Sequence, residues 1–142
     1  MMQHLIPAGY FTVAMMLSAA ANADTPTLYA RLGGQRVVAQ VVNQTIDTVA
    51  QDPRVNRSFD KVDLKRVKTK LVEQICSLSA GGCEYTGDEM KLVHKDLKIS
   101  EREFYALVEV LRQALNDNGV GEREKNELLA ILAPMKRLVV KQ

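Results

Sequence analysis

The apolar residues of this chain recur at three- and four-residue steps over nearly its whole length, a period that only a helix can place on one face. Val38, Val41, Val42, Ile46 and Val49 mark a first long helix, and it should end before Asp52 and Pro53, because the residue before proline is pushed out of helical geometry. A loop through Phe59 follows. Asp63 is placed to cap a second helix with a stripe of Leu64, Val67, Leu71, Ile75 and Leu78, and Gly81 and Gly82 should stop it. After a short segment around Met90 to His94, Ser100 and Glu103 form the signature of a capping box. That box opens a helix expected to bury Phe104, Leu107, Val108, Leu111 and Leu115 and to end near Asn118 and Gly119. A last helix carries Leu128, Leu132, Met135 and Leu138, with Pro134 as its kink. Four substantial helices without internal repeat, low-complexity tract or linker predict one all-α domain, a helical sandwich or bundle. The irregular stretch from 81 to 99 is the one long interruption, and such segments in compact domains are often functional.

Composition narrows the chemistry. The 142 residues are 46% apolar but only 5% aromatic, so a large apolar ligand would be packed mainly by Val, Leu, Ile and Met. Nineteen basic residues against 17 acidic ones leave a net charge of +2, without the one-signed field on which nucleic-acid binding rests. Nucleic acid is therefore not an expected partner.

Residues 1–23 contain no Asp, Glu, Lys or Arg and carry a mostly apolar run from Tyr10 to Ala20. Ala21 and Ala23 supply the small residues that signal peptidase reads, which predicts a signal peptide cut after Ala23 and a mature domain of 24–142. The run is short of the roughly 20 residues of a membrane span, but a basic amino-terminal residue is missing, and a retained membrane anchor is the competing reading. Cleavage removes His4 and leaves His94 as the one mature histidine. Export implies a periplasmic or secreted protein with no stable membrane association. The two cysteines, Cys76 and Cys83, would close a short loop across Gly81 and Gly82 in an oxidising compartment; the alternative is two free thiols. Two cysteines and one histidine do not make a structural zinc site.

By itself His94, beside Leu92 and Val93, reads as an ordinary packed or surface residue. The pattern around it is more specific. Leu28 and Tyr29 lead to Leu32, Gly33 and Gly34; then come Asp52 and Pro53, Phe59, Gly81 and Gly82, Tyr85, Thr86 and Gly87, Met90 and Lys91 with His94 three residues on, and Ala133 and Pro134. In order and spacing the mature chain resembles the group I truncated haemoglobins. The resemblance implies a two-over-two globin fold with a minimal first helix and a loop in place of most of the proximal helix. It implies haem b and its iron as cofactor, His94 as proximal iron ligand and Phe59 against the porphyrin face. Met90, Ile99 and Phe104 join the expected haem-contacting set. A neutral imidazole suits iron, and a backbone carbonyl can hold its other ring nitrogen. Without Cys-x-x-Cys-His, c-type covalent attachment is excluded.

On the distal side the chain departs from the family. Where the group I pattern has a tyrosine, and often a glutamine, this sequence has Ile46, Val67 and Leu71. Thr45 and Gln74 are the nearest polar residues, each expected to face solvent or a neighbouring helix. Lys61, Lys65, Arg66, Lys68 and Lys70 form a basic cluster whose plain reading is a solvated face. Lys70, at the border of the apolar stripe, is placed to pair with a haem propionate or, deprotonated, to ligate iron. The expected function is reversible binding of a diatomic gas (oxygen, CO or NO), served by an unidentified reductase or electron donor. A haem enzyme of the envelope, peroxidase or NO-converting, and a haem-free globin-like interaction module are the rivals; no acid–base pair in the sequence flanks the distal side.

Intact-mass analysis of exported protein tests the amino-terminal reading. A chain beginning at Asp24 is expected, and a mass that retains residues 1–23 contradicts it.

Overall fold

The computed structural model describes residues 24–140; the expected signal peptide lies outside the described residues. The described chain is helical, with α1 at Leu28–Arg31, α2 at Gly34–Val49, α3 at Leu64–Leu78, α4 at Met90–His94, α5 at Glu101–Asp117, α6 at Glu122–Leu132 and α7 at Lys136–Val139. Two 3-10 turns, Asn56–Phe59 and Ala133–Met135, interrupt it. Its one β-type pairing among the described residues is an isolated parallel bridge between Ile99 and Val140.

The glycine pair before α2 is dictated by geometry. Gly33 has φ 104° and Gly34 φ 66°, a left-handed turn that L side chains rarely adopt. A Cβ at Gly33 would also lie within 2.4 Å of Val37 Cγ2. The chain then enters α2, which buries Val37, Val38, Val41, Val42, Thr45, Ile46 and Val49. That face packs against both α3 and α5 and forms the centre of the core. Each fully buried valine or isoleucine there contributes about 1.5–3 kcal/mol. Arg31 on α1 reaches Glu124 at 3.0 Å and Glu127 at 2.7 Å, tying the first turn to α6.

The capping residues behave as the sequence indicates. The Asp63 carboxylate accepts from the Arg66 N–H at 3.1 Å. At α5 the Ser100 hydroxyl accepts from the Glu103 N–H at 3.2 Å while Glu103 Oε2 accepts from the Ser100 N–H at 2.7 Å. Three expectations change. The stop of α3 is not made by the two glycines: Ala80 takes the left-handed conformation, φ 62°, and the Gly81 N–H donates back to the Cys76 carbonyl at 2.8 Å. Gly81 is needed for space instead, since a Cβ there would meet Cys76 Sγ at 2.5 Å and the Tyr29 ring at 2.7 Å. The last helix is not merely kinked at Pro134 but broken into α6, a 3-10 turn and α7, because proline has no N–H to continue the ladder.

The third change concerns burial. Of the expected stripe on α3 only Ile75 is fully buried, while Leu64, Val67 and Leu71 are half-covered. On α5 the apolar residues sealed from water are Ala106, Val110, Leu111, Ala114 and Leu115, and Phe104, Leu107 and Val108 are half-covered. Both helices use one face on α2 and leave part of a second apolar face incompletely packed. No described helix is long and apolar enough to cross a membrane.

Ala80→Gly tests the stop of α3. A non-glycine residue in the left-handed region costs about 1–2 kcal/mol, and the entropy lost by glycine offsets about 0.5–1 kcal/mol of that. Ala80 is exposed and gives up no packing. Thermal unfolding followed by circular dichroism is expected to show Tm higher by about 2–4 °C; a lower Tm contradicts the assignment.

Candidate functional site

α4 is a single turn and a half, and its last residue is His94. The imidazole is partly buried, and its Nδ1 lies 2.7 Å from the Met90 carbonyl oxygen. A carbonyl only accepts, so Nδ1 carries the proton and donates. In the neutral ring this bond leaves the lone pair on Nε2, and among the described residues Nε2 has no hydrogen-bond partner. That is the arrangement a histidine metal ligand requires.

The loop that delivers α4 is fastened to α3 along one helix face. Cys76 and Cys83 are paired as a disulfide, Cα–Cα 5.7 Å. One turn back, Glu73 Oε2 accepts from the Thr86 hydroxyl at 2.9 Å and from the Thr86 N–H at 3.2 Å. Lys70 Nζ donates to the Thr86 hydroxyl at 2.6 Å and to Glu73 at 3.0 Å. Arg66 reaches Asp88 at 3.5 Å. Lys70 and the Thr86 N–H hold the Glu73 carboxyl below the usual glutamate range. Lys68 pairs with Asp47 of α2 at 2.6 Å. The basic cluster is thus only in part a solvated face; Arg66, Lys68 and Lys70 are ties.

Beyond His94 the chain is fastened a second time. The Leu97 N–H donates to the His94 carbonyl at 3.1 Å, Lys98 is left-handed at φ 51°, and Ile99 is buried and bridged to Val140. Arg57, in the first 3-10 turn, donates to the Leu97 carbonyl at 3.1 Å, to the Lys98 carbonyl at 3.0 Å and to Glu103 at 2.7 Å. Burial pushes the Glu103 carboxyl up, but Arg57 and the Ser100 N–H and hydroxyl outweigh it and hold the carboxyl below its ordinary range.

The remaining candidate residues fall into two groups. Ile46 is sealed in the core, and Phe59, Val67 and Leu71 pack against that same cluster with one side and stay half-open on the other. Met90 shares α4 with His94, and Phe104 is half-covered near the start of α5. The two polar candidates do not face solvent. Thr45 is 1% exposed and donates to the Val41 carbonyl at 2.8 Å; Gln74 is 9% exposed and its amide lies 3.6 Å from Met135 Sδ, its contact with a neighbouring element. Sequence reasoning missed Arg57 and Glu73, and it had Thr86 only as part of the family pattern, without its tie to α3. Glu103 carried a local signal, as the third residue of α5 and the acidic member of its capping box.

This donor set fits haem. One imidazole nitrogen is oriented and free, the apolar faces of α3 and α5 are incompletely covered, and no group of three or more His, Cys, Asp or Glu residues competes for a metal ion among the described residues.

The bacterial-like globin family matches residues 27–141. The chain is 31% identical over 132 residues to a group 1 truncated haemoglobin of Chlamydomonas moewusii, covering 86% of this chain and 77% of that protein. It is 30% identical to one of Mycolicibacterium paratuberculosis, covering 80% and 84%. The fold superposes on the Fe(III) truncated haemoglobin of Tetrahymena pyriformis with a TM-score of 0.78 at 24% identity, over 82% of this chain and all (100%) of that one. A Synechococcus 2/2 haemoglobin, crystallised in the cyanomet state with covalently attached haem, gives a TM-score of 0.71 at 27% identity, covering 76% and 91%.

Proposed function

Since this chain belongs to the bacterial-like globins, and among them to the group 1 truncated haemoglobins, we propose that it binds haem b non-covalently through His94 and takes up diatomic gases reversibly. The observation that carries this reading is the hydrogen bond from His94 Nδ1 to the Met90 carbonyl at 2.7 Å. It orients the ring and leaves Nε2 as the ligating atom. When bound, haem would supply an iron that His94 holds and that can take up a diatomic gas.

The protein's own part is to hold the group and to set the polarity of the gas site. Phe59, Val67, Leu71, Met90, Ile99 and Phe104 supply apolar contact. Ile46, Val67 and Leu71 stand where the family places hydrogen-bond donors and offer none. Thr45 spends its hydroxyl on its own helix, and Gln74 directs its amide at a thioether. Lys70 is assigned to a propionate rather than to iron: its ammonium donates to Glu73 at 3.0 Å and to the Thr86 hydroxyl at 2.6 Å, contacts that it would have to give up to turn inward. The disulfide supports residence in an oxidising compartment and hence export; cleavage after Ala23 rests on the amino-terminal sequence. An electron donor is required to keep the iron ferrous.

His94→Ala is expected to abolish stable haem retention, with partial recovery on adding imidazole. Ultraviolet–visible spectra of ferrous and CO forms check it; unchanged spectra would sink the assignment. A second outcome concerns the gas. A distal donor stabilises charge developing on oxygen by about 1.5–3 kcal/mol, roughly ten- to a hundredfold in affinity, whereas nearly apolar CO gains little. Ile46→Tyr is therefore expected to slow oxygen release by that factor and to leave CO release nearly unchanged in stopped-flow measurements. Slow oxygen release already in the wild type contradicts the apolar site.

A further inference from the structure

We propose that Arg57 is the positioning residue for His94, a role that rests on the haem reading above. The argument begins with the length of α4. Five residues, Met90–His94, are far below the roughly 12–15 at which a helix holds itself together in water, so the direction of the His94 ring is set by what fastens the chain on either side. Before α4 the fastening is covalent and ionic, through the Cys76–Cys83 disulfide and the Glu73, Lys70 and Thr86 contacts. α4 itself packs against α7, and after it the chain is held by Ile99, buried and bridged to Val140, and by Arg57.

Among the described residues, Arg57 is the side chain from outside the segment that donates to the main chain between His94 and Ile99. It takes the Leu97 carbonyl with Nη1 and the Lys98 carbonyl with Nη2, while Nε meets Glu103 Oε1 at 2.5 Å. Lys98 sits in the left-handed region without the glycine that would make it easy, so the bend there needs an outside hold. The Glu103 carboxylate that receives Arg57 also caps α5, through the Ser100 N–H and hydroxyl. One network therefore joins the His94 segment, the start of α5 and the turn Asn56–Phe59. Phe59 lies two residues after Arg57 in that turn, so the guanidinium fixes the element that carries the aromatic contact relative to the one that carries the iron ligand.

The chemistry is specific to arginine. Two successive carbonyls and a carboxylate are met by donors on three different nitrogens of one rigid plane, which the single ammonium of lysine cannot reproduce. The Arg57 side chain is 56% exposed and its partner Glu103 10%. Water screens the charge, so the geometry of the fork matters more than its electrostatic contribution.

Arg57→Ala and Arg57→Lys in the full mature chain test this, with Arg54→Ala as control, because Arg54 pairs with Asp52 and Glu109 and does not touch the segment. Haem transfer to excess apomyoglobin is expected to accelerate about tenfold in both Arg57 variants, as loss of partners that orient a metal ligand does, and to be unchanged in the control. The iron–histidine stretching band of the ferrous protein is expected to shift or broaden in the same two variants. In haem-free protein, amide exchange at Leu97, Lys98 and Ile99 is expected to quicken. Wild-type transfer rate and stretching band in Arg57→Lys would overturn the proposal, as would unchanged exchange in Arg57→Ala. Failure of the haem reading looks different: retention indifferent to His94→Ala overturns both.

Discussion

The fold depends on burying one face of α2. Seven residues from Val37 to Val49 leave water together, and a face that long needs two partners, which α3 and α5 provide. Because these two helices lie against a common third, their remaining apolar residues cannot also be covered by it. Val67 and Leu71 on α3, and Leu107 on α5, remain half-open. The packing that makes the domain stable thus leaves apolar surface of the kind a flat apolar group can cover.

Placing a ligand beside such a surface is a separate problem, solved with little regular structure. The segment from 79 to 100 contains only the five-residue α4, and its path is set by side chains from elsewhere. Residues 66, 70, 73 and 76 lie on one face of α3, and they meet residues 88, 86 and 83 in reverse order. The disulfide lies at the end of this seam remote from His94, so it limits the loop without touching the ring. Two carboxylates, Glu73 and Glu103, serve the two ends, each held below its ordinary range by a basic partner and a backbone N–H despite some burial.

Much of this was legible along the chain. Helical period located all four long helices, Asp63 and Ser100 were recognisable as caps, and Cys76 and Cys83 stood close enough to pair. His94 was singled out by the pattern of residues along the chain, from Leu28 and Tyr29 to Ala133 and Pro134, rather than by its immediate surroundings. Periodicity was misleading where it was read as burial: Leu64, Val67, Phe104 and Leu107 repeat like core residues but are only half-covered, because period reports which side a residue is on and not whether another element arrives to cover it. Ala80 was overlooked as the stop of α3 because left-handed propensity pointed to the glycines beside it, yet the Gly81 N–H could close the turn only if the residue before it took that conformation.

By itself the sequence determined what depends on residues within about one or two helical turns of each other: the helices, their caps, a distortion at Pro134 and the absence of donors at Ile46, Val67 and Leu71. Only the tertiary structure decided what depends on contacts between distant residues. Arg57 lies 40 and 41 residues from the carbonyls it holds, and an exposed arginine two residues before a phenylalanine carries no local mark of that role. The direction in which His94 points is likewise tertiary, because a helix of one and a half turns takes its orientation from its fastenings, and those come from other parts of the chain.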